Sequence, residues 1–163
     1  MLSEIRRNKS ELPLRQLGKT ELQVSIVSFG GGHFVSKNLE VQESIRLLHH
    51  AIDEGMNFMD TAWEYGQGES ERRMGLGLQD RREKVVLMTK VCSRDAKIAE
   101  EQLHESLDRL KTDVIDVWQF HEINYDNDAE LIFRSGGAIE AAISARDAGK
   151  IRFIGFTGHK SPH

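Results

Sequence analysis

The sequence predicts an α/β fold of parallel βα units preceded by a β-hairpin, and three observations carry that reading. Short apolar, β-branched runs recur along the chain; segments of helical spacing lie between them; turn and cap residues stand where one period gives way to the other. The runs are "VSIVSF" from Val24, "NFMD" from Asn57, "VVLMTKV" from Val85, "VIDVWQF" from Val114 and "RFIGFT" from Arg152, with starts 33, 28, 29 and 38 residues apart. Strand then helix, four times over and ending on a fifth strand, is the pattern of a parallel sheet covered by helices.

The elements follow in order. "LPLRQLGKTELQVS" reads as two short strands about a Gly18-Lys19 turn, a hairpin over about residues 12–25. The βα units then occupy about residues 24–157. Val41, Ile45, Leu48 and Ile52 step by four, three and four, which predicts a helix after the first strand. Ala99, Leu103, Leu107 and Leu110 predict another, with Asp95 as its N-cap, and Gly149 is the expected C-cap after "AIEAAISARDA". Residues 122–137, "EINYDNDAELIFRSGG", form the longest irregular stretch, and "AELIF" within it is expected to make one helical turn.

A chain of 163 residues, 39% apolar and 29% charged, can bury a real core, and residues 1–163 read as one domain. The net charge of -4 offers no footprint for nucleic acid or an acidic membrane surface. The single cysteine, Cys92, excludes an internal disulfide and points to a reducing compartment. "MLSEIRRNKSELPLRQLGKT" holds no continuous apolar segment, and nowhere do 18 apolar residues run together, which argues for the cytoplasm and against a membrane partner.

In parallel βα architectures the working residues stand at the carboxyl ends of strands and in the loops that follow. Here that rule selects Asp60 at the end of the second strand, Tyr65 in its loop, Lys90 at the end of the third strand and His121 at the end of the fourth. An acid, a phenol, an amine and an imidazole on one face suit proton delivery to a carbonyl oxygen. A free tyrosine titrates near ~10, too high for efficient acid–base work at neutral pH. A close ammonium favours the phenolate, an aspartate can hold that ammonium charged, and a neutral histidine is expected to donate to the carbonyl oxygen.

With these residues in place the chain resembles the aldo-keto reductase family, barrels of TIM type. The matching stretches are "LPLRQLGKTELQVSIVSFG" for the hairpin and first strand, "NFMDTAWEYGQGESERRMG" for the Asp and Tyr, "VVLMTKV" for the lysine and "DVIDVWQFHEI" for the histidine. The resemblance implies NADPH-dependent reduction of a small-molecule aldehyde or ketone. In it Tyr65 is the general acid, Lys90 and Asp60 tune it, and His121 orients the substrate. It also implies cofactor contacts at Gly31, Gly32, Asp60 and Thr157. Gly158 stands where the family commonly has an asparagine.

A complete barrel of this type takes about 250 residues, so the resemblance implies a parallel (β/α) TIM-barrel type fold truncated after about five strands. Open edges at the first and fifth strands predict self-association. Two rival readings accompany the reductase: a regulatory or binding module of the same fold, and a non-catalytic truncated fragment.

Several features read as structural. "FGGGHF" lacks the spacing of a phosphate loop, and "DNDAE" lacks the glycine and distal glutamate of a calcium loop. His49 and His50 are adjacent on a helix and point apart, and no metal site is expected. Trp118 alternates into the core, whereas Trp63 is expected to line a substrate pocket. Cys92 is expected to be a buried, inert thiol.

Overall fold

The structure, a computed structural model, describes residues 12–35 and 39–160. The expected span of 1–163 thus includes residues 1–11, 36–38 and 161–163, which lie outside the described residues. The hairpin forms as expected: β1 (Leu14–Gln16) pairs antiparallel with β2 (Gln23–Ser25). Its turn is closed by Leu17 N donating to Leu22 O at 2.9 Å and by the Thr20 hydroxyl donating to Leu17 O at 2.6 Å.

A five-stranded parallel sheet follows in chain order: β3 (Phe29–Gly30), β4 (Phe58–Asp60), β5 (Val86–Val91), β6 (Ile115–Phe120) and β7 (Ile151–Phe156). Helices α1 (Val41–Asp53), α2 (Glu69–Leu78) and α3 (Ala96–Leu110) fill the first three crossovers, and α4 (Asp128–Phe133) and α5 (Ala138–Asp147) the fourth. α4 contains the expected "AELIF" turn. Asp95 caps α3, its side chain accepting from Ile98 N at 3.2 Å. Gly149 follows α5 with φ 74°, the left-handed geometry that closes a helix end. Among the described residues no helix is long and apolar enough to cross a membrane.

One expectation needs correction. "VSIVSF" is not a single strand: its first residues belong to β2, Ile26 and Val27 are exposed, and only Phe29 and Gly30 pair with β4. The cause is Asn57, at the foot of β4. Its Oδ1 accepts from Ser25 N at 2.7 Å and its Nδ2 donates to Gln23 O at 2.9 Å, so a side chain takes up the groups that would have extended a parallel ladder.

The sheet is apolar on both faces, as a parallel sheet must be. On the helix side Leu48, Met74, Leu78, Leu103, Leu110 and Ile132 close over Met59, Leu87, Trp118 and Ile151. Trp118 is 1% exposed, which makes it core as expected. On the other side the hairpin supplies Leu22 and Val24 to Val86, Met88 and Val117. The hairpin therefore covers the amino-terminal end of the inner face and leaves the carboxyl end, where the candidate residues stand, uncovered by it.

An ionic chain stitches that base. Asp116 Oδ2 accepts from Leu87 N at 2.9 Å and from Arg82 at 2.8 Å, while Oδ1 accepts from Arg152 at 2.7 Å; Arg152 also reaches Glu21 of the hairpin at 2.8 Å. Burial alone would raise the Asp116 carboxyl, but the Leu87 amide, Arg152 and Arg82 outweigh it and hold the group below its ordinary range. Asp116→Ala is expected to destabilise the fold by about 2–3 kcal/mol, somewhat below the range for a fully buried pair because Arg152 is 42% exposed. A depressed carboxylate stabilises above its unfolded value and loses that contribution as pH falls through the folded one. Urea titrations should therefore show the full gap between wild type and variant at neutral pH and its loss below about pH 4; a gap that widens in acid contradicts the assignment.

Candidate active site

The loop from β4 to α2 delivers two of the four candidate groups. Beyond Asp60 the backbone keeps bonding to β5, Thr61 N to Met88 O at 2.9 Å and Trp63 N to Lys90 O at 3.2 Å, so the loop leaves the sheet on a fixed path. It then turns through Gly66, Gln67 and Gly68, all left-handed at φ 58°, 57° and 84°, before α2 begins. Two glycines make that turn accessible to the chain. Tyr65 sits at its entrance, its N bonded to Ala62 O and its O receiving Ser70 N.

Lys90 is the hub. Its side chain is 4% exposed, and its ammonium donates to the Asp60 carboxylate, to Thr61 O at 2.7 Å and to Tyr65 Oη at 3.4 Å. An ammonium has three donors, and all three are used. The same nitrogen lies 4.8 Å from the centre of the Tyr65 ring. His121, fixed at the end of β6 by its N bonding to Val91 O, meets the Tyr65 ring edge-on at 5.6 Å. The structure thus brings Asp60, Tyr65, Lys90 and His121 together.

The candidate cofactor contacts border this group. Gly31 N donates to Asp60 O at 2.7 Å and Gly31 O accepts from the buried Ser70 hydroxyl at 2.9 Å. A Cβ at Gly32 would lie 3.8 Å from Tyr65 Cε2, in ordinary contact beside the phenol. Thr157 follows β7; its Oγ1 accepts from Glu122 N at 2.9 Å, which leaves the hydroxyl proton free to donate. Between these positions, on β6, the buried Oε1 of Gln119 has no partner among the described residues. An orphan acceptor, a free hydroxyl donor and an open glycine surface fit an amide-bearing ring such as nicotinamide.

Two residues that the sequence did not single out, Glu64 and Arg94, and one it read as structural, Asp128, complete the site. Glu64, just ahead of Tyr65, places Oε1 3.1 Å from His121 Nδ1. Arg94 donates to Cys92 O at 3.0 Å, His121 O at 2.8 Å, Glu122 O at 3.0 Å and Asp128 Oδ1 at 3.0 Å, tying the ends of β5 and β6 to α4. Asp128 is buried and also accepts from Asn124 N and Tyr125 N, so "DNDAE" anchors the long loop. Its carboxyl stays below the ordinary range because those amides and Arg94 outweigh its burial.

Burial, then the Lys90 ammonium, pull His121 below its ordinary value against the opposing Glu64, Glu122 and Asp60. Cys92 is half-buried, and burial followed by Glu64 pushes its thiol up to about 12, so it is a protonated and unreactive thiol. Glu64, Cys92 and His121 bring an oxygen, a sulfur and a nitrogen within 4.8 Å of one another. The Cys92 thiol among them is protonated, and no metal is assigned to the group. Trp63, expected in a substrate pocket, instead donates its indole proton to Glu105 Oε2 at 2.8 Å and stacks under Arg109, both on α3.

With this geometry established, comparison with known proteins is informative. The Aldo/keto reductase family profile matches residues 26–163. An L-galactose dehydrogenase of Arabidopsis thaliana is 33% identical, the match covering 91% of this chain and 49% of that protein. The holo form of an aldo-keto reductase from Bacillus halodurans superposes with a TM-score of 0.79 at 30% identity, over 90% of this chain and 50% of that one. An aldo/keto reductase from Klebsiella pneumoniae, in complex with NADP and acetate, gives 0.72 at 26% identity, over 85% and 47%. The chain spans about half the length of the curated relatives it matches.

The two glycines beside Tyr65 differ in what they tolerate. A Cβ at Gly31 would fall 2.6 Å from Ser70 Oγ and 2.8 Å from Asp60 O, whereas one at Gly32 meets nothing closer than 3.8 Å. Gly31→Ala should cost about 1–3 kcal/mol, the usual penalty for overpacking, and Gly32→Ala within ~0.5 kcal/mol of nothing. Denaturant midpoints of the two variants check this, and equal midpoints would contradict the crowding at Gly31.

Proposed function

The chain belongs to the aldo/keto reductase family, and from that footing we propose that it serves NADPH-dependent reduction of an aldehyde or ketone to an alcohol, in the cytoplasm. The observation that carries the reading is the Lys90 ammonium bound at once to Asp60, to Thr61 O and to the Tyr65 phenol. A surface lysine at a strand end has no need of such an enclosure, whereas a tyrosine that must give up a proton does.

When bound, NADPH supplies the hydride that the carbonyl carbon receives. Gly31, Gly32, Asp60 and Thr157 are the residues of this chain that would hold its nicotinamide end, and a structural neighbour in complex with NADP supports the choice of cofactor. Tyr65 Oη gives its proton to the carbonyl oxygen as negative charge develops there, and the product leaves as the alcohol. The phenolate left behind faces the Lys90 ammonium at 3.4 Å, which stabilises it until solvent returns the proton. Asp60 keeps that ammonium charged and aimed. His121 borders the phenol and orients the carbonyl.

Tyr65→Phe tests this directly, because it removes one hydroxyl and keeps the ring against His121. NADPH consumption with a generic aromatic aldehyde should fall by roughly 10²–10⁴-fold, the contribution usual for a positioned acid, while the melting curve shows the variant, one Lys90 acceptor short, still folded at the assay temperature. Equal turnover in the variant would remove Tyr65 from the mechanism, whereas a folded wild type that consumes no NADPH would favour the binding-module reading.

A further inference from the structure

The turn that follows Tyr65 does not hold itself. Gly66, Gln67 and Gly68 are consecutive left-handed residues, and Gln67, at φ 57°, carries a Cβ that resists that geometry. Such a run persists where the surrounding structure fixes it. Here the fixing group is Arg109, in the last turn of α3. Its Nη1 donates to Trp63 O at 3.1 Å, two residues ahead of Tyr65, and its guanidinium lies over the Trp63 ring at 5.4 Å. Three residues beyond Tyr65 the same group lies against Gly68, where a Cβ would fall 2.6 Å from Arg109 Cζ. One planar cation therefore meets the loop on both sides of Tyr65. Arg72 adds a longer, exposed bond to Gln67 O at 3.3 Å.

We infer that Arg109 is a positioning residue for Tyr65: it clamps the β4–α2 loop at Trp63 and at Gly68, and so sets where the phenol meets Lys90. The inference rests on the reductase reading for its kinetic consequence and on geometry alone for the clamp.

The clamp is itself rooted in packed elements. Glu71 of α2 is fully buried; its Oε2 accepts from Arg109 Nη1 at 3.2 Å, and its Oε1 accepts from the Thr89 hydroxyl at 2.7 Å, beside Lys90 on β5. Glu105, one turn back on α3, accepts from Arg109 Nη2 at 2.7 Å and from the Trp63 indole at 2.8 Å through the same Oε2. The α3 backbone is pressed onto α2 at this point, since a Cβ at Gly75 would fall 2.3 Å from Arg109 O. A lysine could pair with Glu71, but its single ammonium cannot lie flat on Gly68 and Trp63 while serving the glutamates. Losing the cation alone would strand the Glu71 carboxylate in the core.

Two variants of the purified protein avoid that stranded charge: Arg109→Lys keeps a cation beside Glu71, and Arg109→Met combined with Glu71→Gln removes both charges. In each, at a temperature where circular dichroism shows it folded, kcat for NADPH-dependent aldehyde reduction should fall about 10–10²-fold, the scale of loss when a reacting group is misplaced by about 1 Å. KM should hold, as for an interaction realised in the transition state. In a Tyr65→Phe background the same changes should cost less than about twofold, because the group they aim is gone. Losses that multiply in full overturn the inference, since a merely structural role acts with or without the phenol. A second readout needs no turnover. The chain has two tyrosines, Tyr65 and the exposed Tyr125, so fluorine NMR of the 3-fluorotyrosine protein gives one signal for each, assigned with Tyr65→Phe. The Tyr65 signal should shift or broaden in both variants while that of Tyr125 stays in place. An unmoved Tyr65 signal in the folded variants overturns the clamp. A wild type that consumes no NADPH, but whose Tyr65 signal moves in the variants, supports the clamp and defeats the reductase reading, so the two failures are distinguishable.

Discussion

A buried ammonium must be neutralised and have its protons accepted, and in this molecule that requirement fixes the geometry of the whole strand-end face. Lys90 is nearly inaccessible, and losing any one partner would leave a desolvated proton without an acceptor. Asp60, the Thr61 carbonyl and the Tyr65 phenol are therefore held where the nitrogen requires them. The first two lie on continuous backbone at the end of β4, which is itself bonded to β5. The third sits on a turn that the chain can make only through Gly66 and Gly68. Stability and site geometry depend here on the same contacts.

The hairpin contributes to this arrangement from the opposite end of the sheet. By covering Val86, Met88 and Val117 it supplies apolar contact where the inner face would otherwise be wet. Asn57 and Asp116 then use side chains to end the hairpin and bind it to the base. Both devices consume backbone groups near the amino ends of strands, leaving the carboxyl ends to side chains that do chemistry. A parallel sheet makes this division available because its strands all point one way.

Much of this was legible in the sequence because it is periodic or local. Strand starts near-evenly spaced, helical steps from Val41 and from Ala99, the Asp95 cap and the Gly18 turn each express a short-range rule, and each is found in place. Asp60, Tyr65, Lys90 and His121 were legible because residue type and strand-end position coincide. The first strand was misread because its end depends on Asn57, which approaches from a different part of the chain. Glu64, Arg94 and Asp128 escaped for the same reason: a charged residue in a loop reads as solvated until its partner is known, and those partners lie on other loops. Trp63 shows the converse, since proximity in sequence to Tyr65 suggested a pocket while its indole turned to α3.

The two carboxylates nearest the phenol have separate electrostatic tasks. Asp60 binds the lysine and Glu64 stands 3.1 Å from the histidine Nδ1, so Tyr65 has a carboxylate-flanked base on either side. On the lysine side the side chain is buried and its three donors are all accepted, which fixes the nitrogen beside the phenol oxygen. On the histidine side burial outweighs the carboxylates, and the ring is held mostly neutral. A buried lysine and an imidazole therefore border the same hydroxyl. The first is held within the sheet by its three acceptors. The second lies 3.1 Å from Glu64, a half-exposed glutamate on a loop rather than on a strand.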